Sequence, residues 1–201
     1  PAASARANNW GLFSQNNGTI SNLNLTNVNV SGSAYVGALA GSNGGTISNV
    51  NVSGTVSGLS AYNGGLVGNN SGLLSNVSMS GVVTSGYAAG GILGVNQGFV
   101  QSATSSATVT AGSFGGGIVG YNLSTIVAAS VTGAVSGDSY AGGVAGYNLG
   151  LINRAIVNAT VTSPSIAGGI VGYNFVSSPY PGGVENVLVA GTVTGSGQAG
   201  G

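Results

Sequence analysis

The sequence predicts an all-β fold, a parallel β-solenoid (β-helix) of about seven coils with roughly 26 residues and three short strands per coil. A glycine-rich motif occurs seven times and ends in asparagine each time, at intervals of 27, 27, 26, 26, 26 and 26 residues. The residues around each asparagine align into aliphatic columns, and along the Val-, Ile- and Thr-rich stretches these columns recur every second residue, as in a β-strand. A propeller blade needs four strands in about 40 residues or more, so the shorter repeat favours a solenoid.

The glycine-rich motif is the first part of each coil. GGIVGYN occupies residues 116–122 and 168–174, and GGVAGYN occupies 142–148. Stacked coils lie about 4.8 Å apart, so equivalent asparagines should lie over one another, with each side-chain amide donating to the next. Asparagine also tolerates the left-handed backbone of a tight corner, and glycine lets the chain turn without a Cβ. This predicted asparagine ladder consists of Asn16, Asn43, Asn70, Asn96, Asn122, Asn148 and Asn174.

Aliphatic columns flank the ladder. The column four residues before the asparagine contains Leu12, Leu39, Leu66, Ile92, Ile118, Val144 and Ile170. Further columns follow the asparagine by four, seven, nine and thirteen residues, for example Ile126, Ala129, Val131 and Val135. A single repeat cannot bury such a face, but stacked repeats bury a continuous core.

The chain is expected to form a single repeat domain over residues 1–201. Residues 1–10 are a lead-in, and residues 11–201 form the coils with a loop insertion at about 175–183. When six inserted residues are removed, Val184 returns to the column of Ile152. Glu185 then stands beside the column of Arg154, where an ion pair is expected.

Composition argues against an enzyme. The charged residues are Arg6, Asp138, Arg154 and Glu185, and the sequence has no His, Lys or Cys. No side chain is therefore suited to activate a nucleophile, to form a thiolate metal site or to neutralise a run of phosphates. We expect no catalytic residues, cofactor, metal or nucleic-acid partner, and the apolar runs are too short for a transmembrane helix.

The glycine-rich motif resembles the Gly-Leu-Val-Gly repeat, called the GLUG motif, of bacterial surface adhesins and filamentous-haemagglutinin-like β-solenoids. GLVGNN at residues 65–70 is most similar, and GILG at 91–94, GIVG at 117–120 and GIVG at 169–172 are variants. The resemblance covers the chain from Gly11 onward. It implies an extracellular or cell-surface solenoid, which also suits a chain with 2% charged residues.

The first functional hypothesis is a structural or adhesive extracellular protein that associates head to tail with itself into a filament. Trp10 stands where later coils have glycine, and Gly201 takes the register of Gly11, five residues before a ladder position. Strand edges at Trp10, Gly11, Gly200 and Gly201 would then pair between copies.

Ice binding is the second hypothesis. Residues twelve and fourteen after each asparagine are expected to form two outward files that are rich in threonine. The files consist of Thr55/Ser57, Val82/Thr84, Thr108/Thr110, Ala134/Ser136, Thr160/Thr162 and Thr192/Thr194. Outward threonine is also common on any solvated sheet.

Carbohydrate binding, with host or surface glycans as partners, is the third hypothesis. Tyr121, Tyr147 and Tyr173 each precede a ladder asparagine and should stack, and Tyr180 lies in the insertion. Aromatic side chains of this kind contact ligands in many proteins, or simply pack on one another.

Overall fold

A computed structural model describes residues 9–175 and 182–200. Within these ranges every regular element is a β-strand, and every strand pair is parallel with neighbours about one repeat apart. The predicted β-solenoid is confirmed. Tyr180, Gly201 and the first eight residues lie outside the described residues. Within the described ranges, no helix has the length and apolar character needed to cross a membrane.

Three parallel sheets run along the solenoid. The ladder sheet contains β1 (Phe13–Asn16), β3 (Ala40–Asn43), β6 (Val67–Asn70), β9 (Leu93–Asn96), β13 (Val119–Asn122), β17 (Ala145–Asn148) and β21 (Val171–Asn174). The short sheet contains β5 (Tyr62–Gly64), β8 (Ala88–Gly90), β12 (Phe114–Gly116), β16 (Tyr140–Gly142), β20 (Ile166–Gly168) and β25 (Gln198–Gly200).

The long sheet completes each coil. It contains β2 (Thr19–Gly32), β4 (Thr46–Gly58), β7 (Leu73–Ser85), β10 (Phe99–Ser105), β11 (Thr108–Ala111), β14 (Thr125–Val131), β15 (Ala134–Gly137), β18 (Leu151–Val157), β19 (Thr160–Ser163), β22 (Gly183–Glu185), β23 (Leu188–Val189) and β24 (Thr192–Gly195). One continuous strand in the first three coils becomes two or three shorter strands in the later coils.

The aliphatic columns form the core. Leu39, Ile118, Ile126 and Val135 are fully buried or nearly so, because each column stacks on its copies in the coils above and below. In the first described coil, Leu12 occupies the column of Leu39 but is 60% exposed to solvent. Coil-on-coil stacking, rather than packing within one coil, therefore buries the core.

The register resumes after the insertion. Ile152 pairs with Val184, 32 residues later, which is one 26-residue repeat plus six residues. Asn153 lies opposite Glu185 and its Nδ2 donates to Oε2 at 3.4 Å. The expected Arg154–Glu185 ion pair is wrong, because Asn153 rather than Arg154 is in register with the carboxylate.

A left-handed corner follows the ladder in every coil. The residue six positions after each ladder asparagine, counted without the insertion, has φ between 53° and 59°. These corner residues are Asn22, Asn49, Asn76, Ser102, Ala128, Arg154 and Asn186. None of the ladder asparagines has a positive φ. The expectation that they provide the left-handed corner is therefore wrong; each one ends an extended strand.

The two 27-residue coils each accommodate one extra residue at a positive φ. In the first, Asn27 (φ 55°) lies in a bulge where the pairing of β2 with β4 shifts between Leu25 and Val28. In the second, Ala61 (φ 56°) lies in the turn before β5. The stacking register is preserved on both sides of each extra residue.

The ladder and short sheets pack with their backbones in direct contact. A Cβ on Gly146 would lie 2.8 Å from the carbonyl carbon of Phe114 and from the nitrogen of Gly115. Equivalent glycines in neighbouring coils, such as Gly94 and Gly172, also face short-sheet atoms. None of these three has a positive φ. Close approach, rather than the sharp turn expected from the sequence, is what requires glycine here.

Candidate functional surfaces

The asparagine ladder is an unbroken hydrogen-bonded column. Nδ2 of each asparagine donates to Oδ1 of the next, with distances of 2.7, 2.8, 3.0, 2.9, 2.7 and 2.8 Å from Asn16 to Asn174. The five inner members, from Asn43 to Asn148, are fully buried. All the amides point the same way, so the ladder has a direction along the solenoid.

Each amide also closes the turn that follows it. Nδ2 of Asn122 donates to the carbonyl of Ser124 at 2.7 Å, and Oδ1 of Asn122 accepts from the backbone N–H of Ser124 at 3.4 Å. Asn43 donates to the carbonyl of Gly45 at 3.2 Å in the same way. Asn122 therefore uses both side-chain donors and receives two hydrogen bonds, as a buried amide requires.

The threonine files lie in register on the long sheet. Thr55, Thr108, Thr160 and Thr192 are exposed, and the strands that contain them pair residue for residue. Val82 and Ala134 interrupt the first file and are also exposed. In the second file, Thr110 and Thr194 are exposed, whereas Thr84 and Thr162 are half-buried.

A cluster of aromatic rings covers the edge where the ladder and short sheets meet. This aromatic strip comprises Tyr35, Tyr62, Tyr87, Phe114, Tyr121, Tyr140, Tyr147, Tyr173 and Phe175, and every ring lies within 6.2 Å of another. Of these rings, only Tyr121, Tyr147 and Tyr173 were expected from the sequence. The others were missed, although Tyr35, Tyr62, Phe114 and Tyr140 share a position eight residues before a ladder asparagine.

The rings cover one another's faces. Tyr121 and Tyr147 are stacked with centroids 4.8 Å apart and planes 4° apart, and Tyr173 stacks on Tyr147 at 5.2 Å. Rings of the two files meet edge to face, as Phe114 and Tyr147 do at 5.6 Å and 65°. Inside the strip the surface therefore presents mostly ring edges to solvent, rather than the open faces on which a sugar ring stacks.

Burial and the neighbouring phenols raise the pKa of two of these tyrosines. Burial raises the pKa of Tyr62, and the phenols of Tyr87, Tyr121 and Tyr35 raise it further. Burial also raises the pKa of Tyr147, with added contributions from Tyr173 and Tyr140. Both groups are therefore neutral at physiological pH.

The two ends of the described solenoid are open and apolar. At one end, the backbone of Trp10 forms an isolated parallel β-bridge with Val36, and its ring lies against Gly32. Trp10, Leu12, Leu25 and Val30 line a groove there. At the other end a groove is lined by residues that include Ile170, Val187, Val189 and Gly200. Gly11 packs against the backbone of Gly37 and Ala40.

Elsewhere the surface offers little ionic chemistry. Among residues 9–175 and 182–200 there is no group of three or more His, Cys, Asp or Glu side chains that could hold a metal ion.

Comparison of the chain with family models, with curated proteins and with solved structures gave no match. The resemblance to the Gly-Leu-Val-Gly repeat thus depends on the quoted motifs alone.

Proposed function

We propose that this protein is a non-enzymatic, extracellular structural or adhesive rod of the kind that the Gly-Leu-Val-Gly resemblance implies. The observation that carries the proposal is the uninterrupted parallel register, held by six successive asparagine hydrogen bonds. Such a rod places equivalent surface positions in register in every coil, about 4.8 Å apart. The absence of His, Lys and Cys from the sequence supports a role in binding or spacing rather than catalysis.

Head-to-tail self-association is the second part of the proposal. The outermost described coils carry exposed apolar side chains at core-column positions, with Leu12 at 60% and Val187 at 38%. The ladder is also directional, so Oδ1 of Asn16 in one copy complements Nδ2 of Asn174 in another. A net charge of zero removes the repulsion that keeps many proteins apart.

Electron microscopy and light scattering test self-association. We expect the purified chain to form fibres or short linear oligomers whose mass grows with concentration. Leu12→Lys places a charge on one end and should suppress this growth. Thr104→Lys, on the exposed side of β10, is the matched control and should leave it unchanged. A chain that stays monomeric at high concentration would refute self-association without affecting the rod itself.

Adhesion is tested by presenting the chain on beads to cells, to glycan arrays and to extracellular-matrix proteins. We expect saturable retention on at least one surface when the chain is folded and none after it is unfolded in urea. Retention that is equal for folded and unfolded chain would contradict a shape-dependent adhesive role.

Ice binding is the second candidate function, because the exposed threonine files are in register over successive coils of one parallel sheet. Thermal hysteresis and ice-crystal shaping should be measurable, and Thr108→Tyr should reduce both by breaking the flat array. Thr104→Tyr is the control, since Thr104 lies on β10, outside the two files. Absence of hysteresis in the parent chain would eliminate this candidate.

Glycan binding is the third candidate, and the aromatic strip supports it through its phenol hydroxyls rather than through open ring faces. Tyr147→Phe removes one hydroxyl but keeps the ring stack, so we expect weaker glycan retention on an array. Tyr147→Ala should weaken it further. Unchanged retention in both variants would mean that the strip is not the glycan site.

A further inference from the structure

The aromatic strip gathers every tyrosine among the described residues into one connected network. Tyr35, Tyr62, Tyr87, Tyr121, Tyr140, Tyr147 and Tyr173 are linked by ring-centroid distances of 4.8 to 6.2 Å. The sequence has no cysteine, and its one methionine, Met79, is 1% exposed. The readily oxidised side chains of the described surface are therefore concentrated on this strip, apart from Trp10.

We propose that the aromatic strip is an oxidative cross-linking site, along which a tyrosyl radical migrates until it couples with a tyrosine of a second copy of this chain. The oxidant belongs to the class of one-electron oxidants, such as a haem peroxidase supplied with hydrogen peroxide. Each of two tyrosines loses one electron and its phenolic proton. The peroxide takes up the two electrons and two protons and yields two molecules of water.

The route along the strip follows from the ring contacts. The ring centroids of Tyr62 and Tyr121 are 6.0 Å apart, those of Tyr121 and Tyr147 are 4.8 Å apart, and those of Tyr147 and Tyr173 are 5.2 Å apart. Each step transfers one electron and one proton from one tyrosine side chain to another. Because donor and acceptor are the same chemical group, no step has a strongly unfavourable free energy. Phenylalanine is much harder to oxidise than tyrosine, which makes Tyr121 and Tyr147 the obligatory intermediates between the two ends.

The ring geometry directs coupling to another molecule. The bond forms between the ortho carbons of two radicals, and the displaced ring hydrogens move to the phenol oxygens. Stacked pairs and edge-to-face pairs do not bring two ring edges together, so neighbours in the strip are poorly placed to couple. Tyr87 and Tyr173 are 38% and 36% exposed, and their edges are the ones that a second copy meets.

The test uses a photo-oxidant at one end of the strip. Because the chain has no cysteine, Ser60→Cys gives a single attachment point for a ruthenium polypyridyl complex, two residues before Tyr62. Illumination with a sacrificial electron acceptor generates the radical near Tyr62, and mass spectrometry maps the dityrosine bonds. We expect covalent dimers that are linked through Tyr87 and, three ring-to-ring steps from Tyr62, through Tyr173.

The relay variant is Tyr121→Phe with Tyr147→Phe, which should eliminate dimers linked through Tyr173 and leave those through Tyr87. Tyr140→Phe is the matched control, because the route from Tyr62 to Tyr173 does not pass through Tyr140, and it should leave both products unchanged. Circular dichroism verifies that each variant is folded. Tyr173-linked dimers that persist in the relay variant, or that never form in the parent, would overturn the proposal, as would cross-links found only within one chain.

Discussion

At the scale of single residues, the ladder asparagine contributes far more than a polar group on a β-strand. Asn122 is fully buried, donates to Asn148 and accepts from Asn96, and closes its own turn through Ser124. Its replacement would leave partners in two neighbouring coils without hydrogen bonds. The unpaired groups, rather than the lost side chain itself, determine the energetic cost.

Asn122→Leu should therefore be strongly destabilising despite its similar volume. Each buried polar partner that is left unpaired costs about 1–3 kcal/mol, so we expect a loss of about 3 kcal/mol or more in the free energy of unfolding by urea. Asn158→Leu is the control, because that side chain is exposed, and its unfolding free energy should change little. Equal effects of the two substitutions would mean that the ladder does not stabilise the coils.

The left-handed corner is the other decisive residue position. Ala128 has φ 59°, where asparagine or glycine is favoured and alanine is strained. Ala128→Gly should raise the unfolding free energy by about 1 kcal/mol, since left-handed backbone costs an L-residue about that much. Ala134→Gly, at an extended position in β15, should lower it by about 0.5–1 kcal/mol. A loss of stability in Ala128→Gly would contradict the strained corner.

At the scale of elements, contact between the ladder and short sheets sets the thickness of the solenoid. Gly146→Ala would place a Cβ 2.8 Å from backbone atoms of Phe114 and Gly115, which cannot move independently of their strand. We expect a loss of about 1–3 kcal/mol, the usual range for an overpacked interior, in thermal or urea unfolding. Gly200→Ala is the control, since nothing lies within 4 Å of its Cβ position.

The aromatic strip should make the fold sensitive to alkali. Burial and the neighbouring phenols raise the pKa of Tyr62 above the value of about 10 that it has in the unfolded chain. Its contribution to stability is fully present below pH 10 and is lost as the pH rises through the folded-state pKa. Tyr62→Phe should shift alkaline unfolding, followed by circular dichroism, to higher pH. An unchanged or lower transition pH would contradict this coupling.

The elements show which features the sequence could reveal. The period, the aliphatic columns and the asparagine positions were all visible, because stacking repeats the same residue type in every coil. The corner column was not, since Ser102, Ala128 and Arg154 replace the asparagine that would have marked it. The strip was only partly visible, because Ala88 interrupts the column of Tyr62 and Phe114 and Tyr87 stands one position away.

At the scale of the whole molecule, stability is distributed coil by coil along one axis. Each inner coil buries its aliphatic columns against two neighbours, donates one ladder hydrogen bond to the next coil and accepts one from the preceding coil. The lateral surfaces are therefore free to vary. The threonine files and the aromatic strip vary in this way without disturbing the register. That separation of a uniform core from variable faces is the physical basis for proposing that the faces carry the function.

Distances between spin labels test whether successive repeats stack in parallel register along one axis. Cysteine pairs at Thr55 and Thr160 and at Thr55 and Thr192 lie in one exposed file, about four and five coils apart. Electron–electron dipolar spectroscopy should give narrow distributions whose means are about 19 Å and 24 Å, an increment of about 4.8 Å per coil. Distances that do not increase by this step, or broad distributions in the folded chain, would contradict the stacked solenoid.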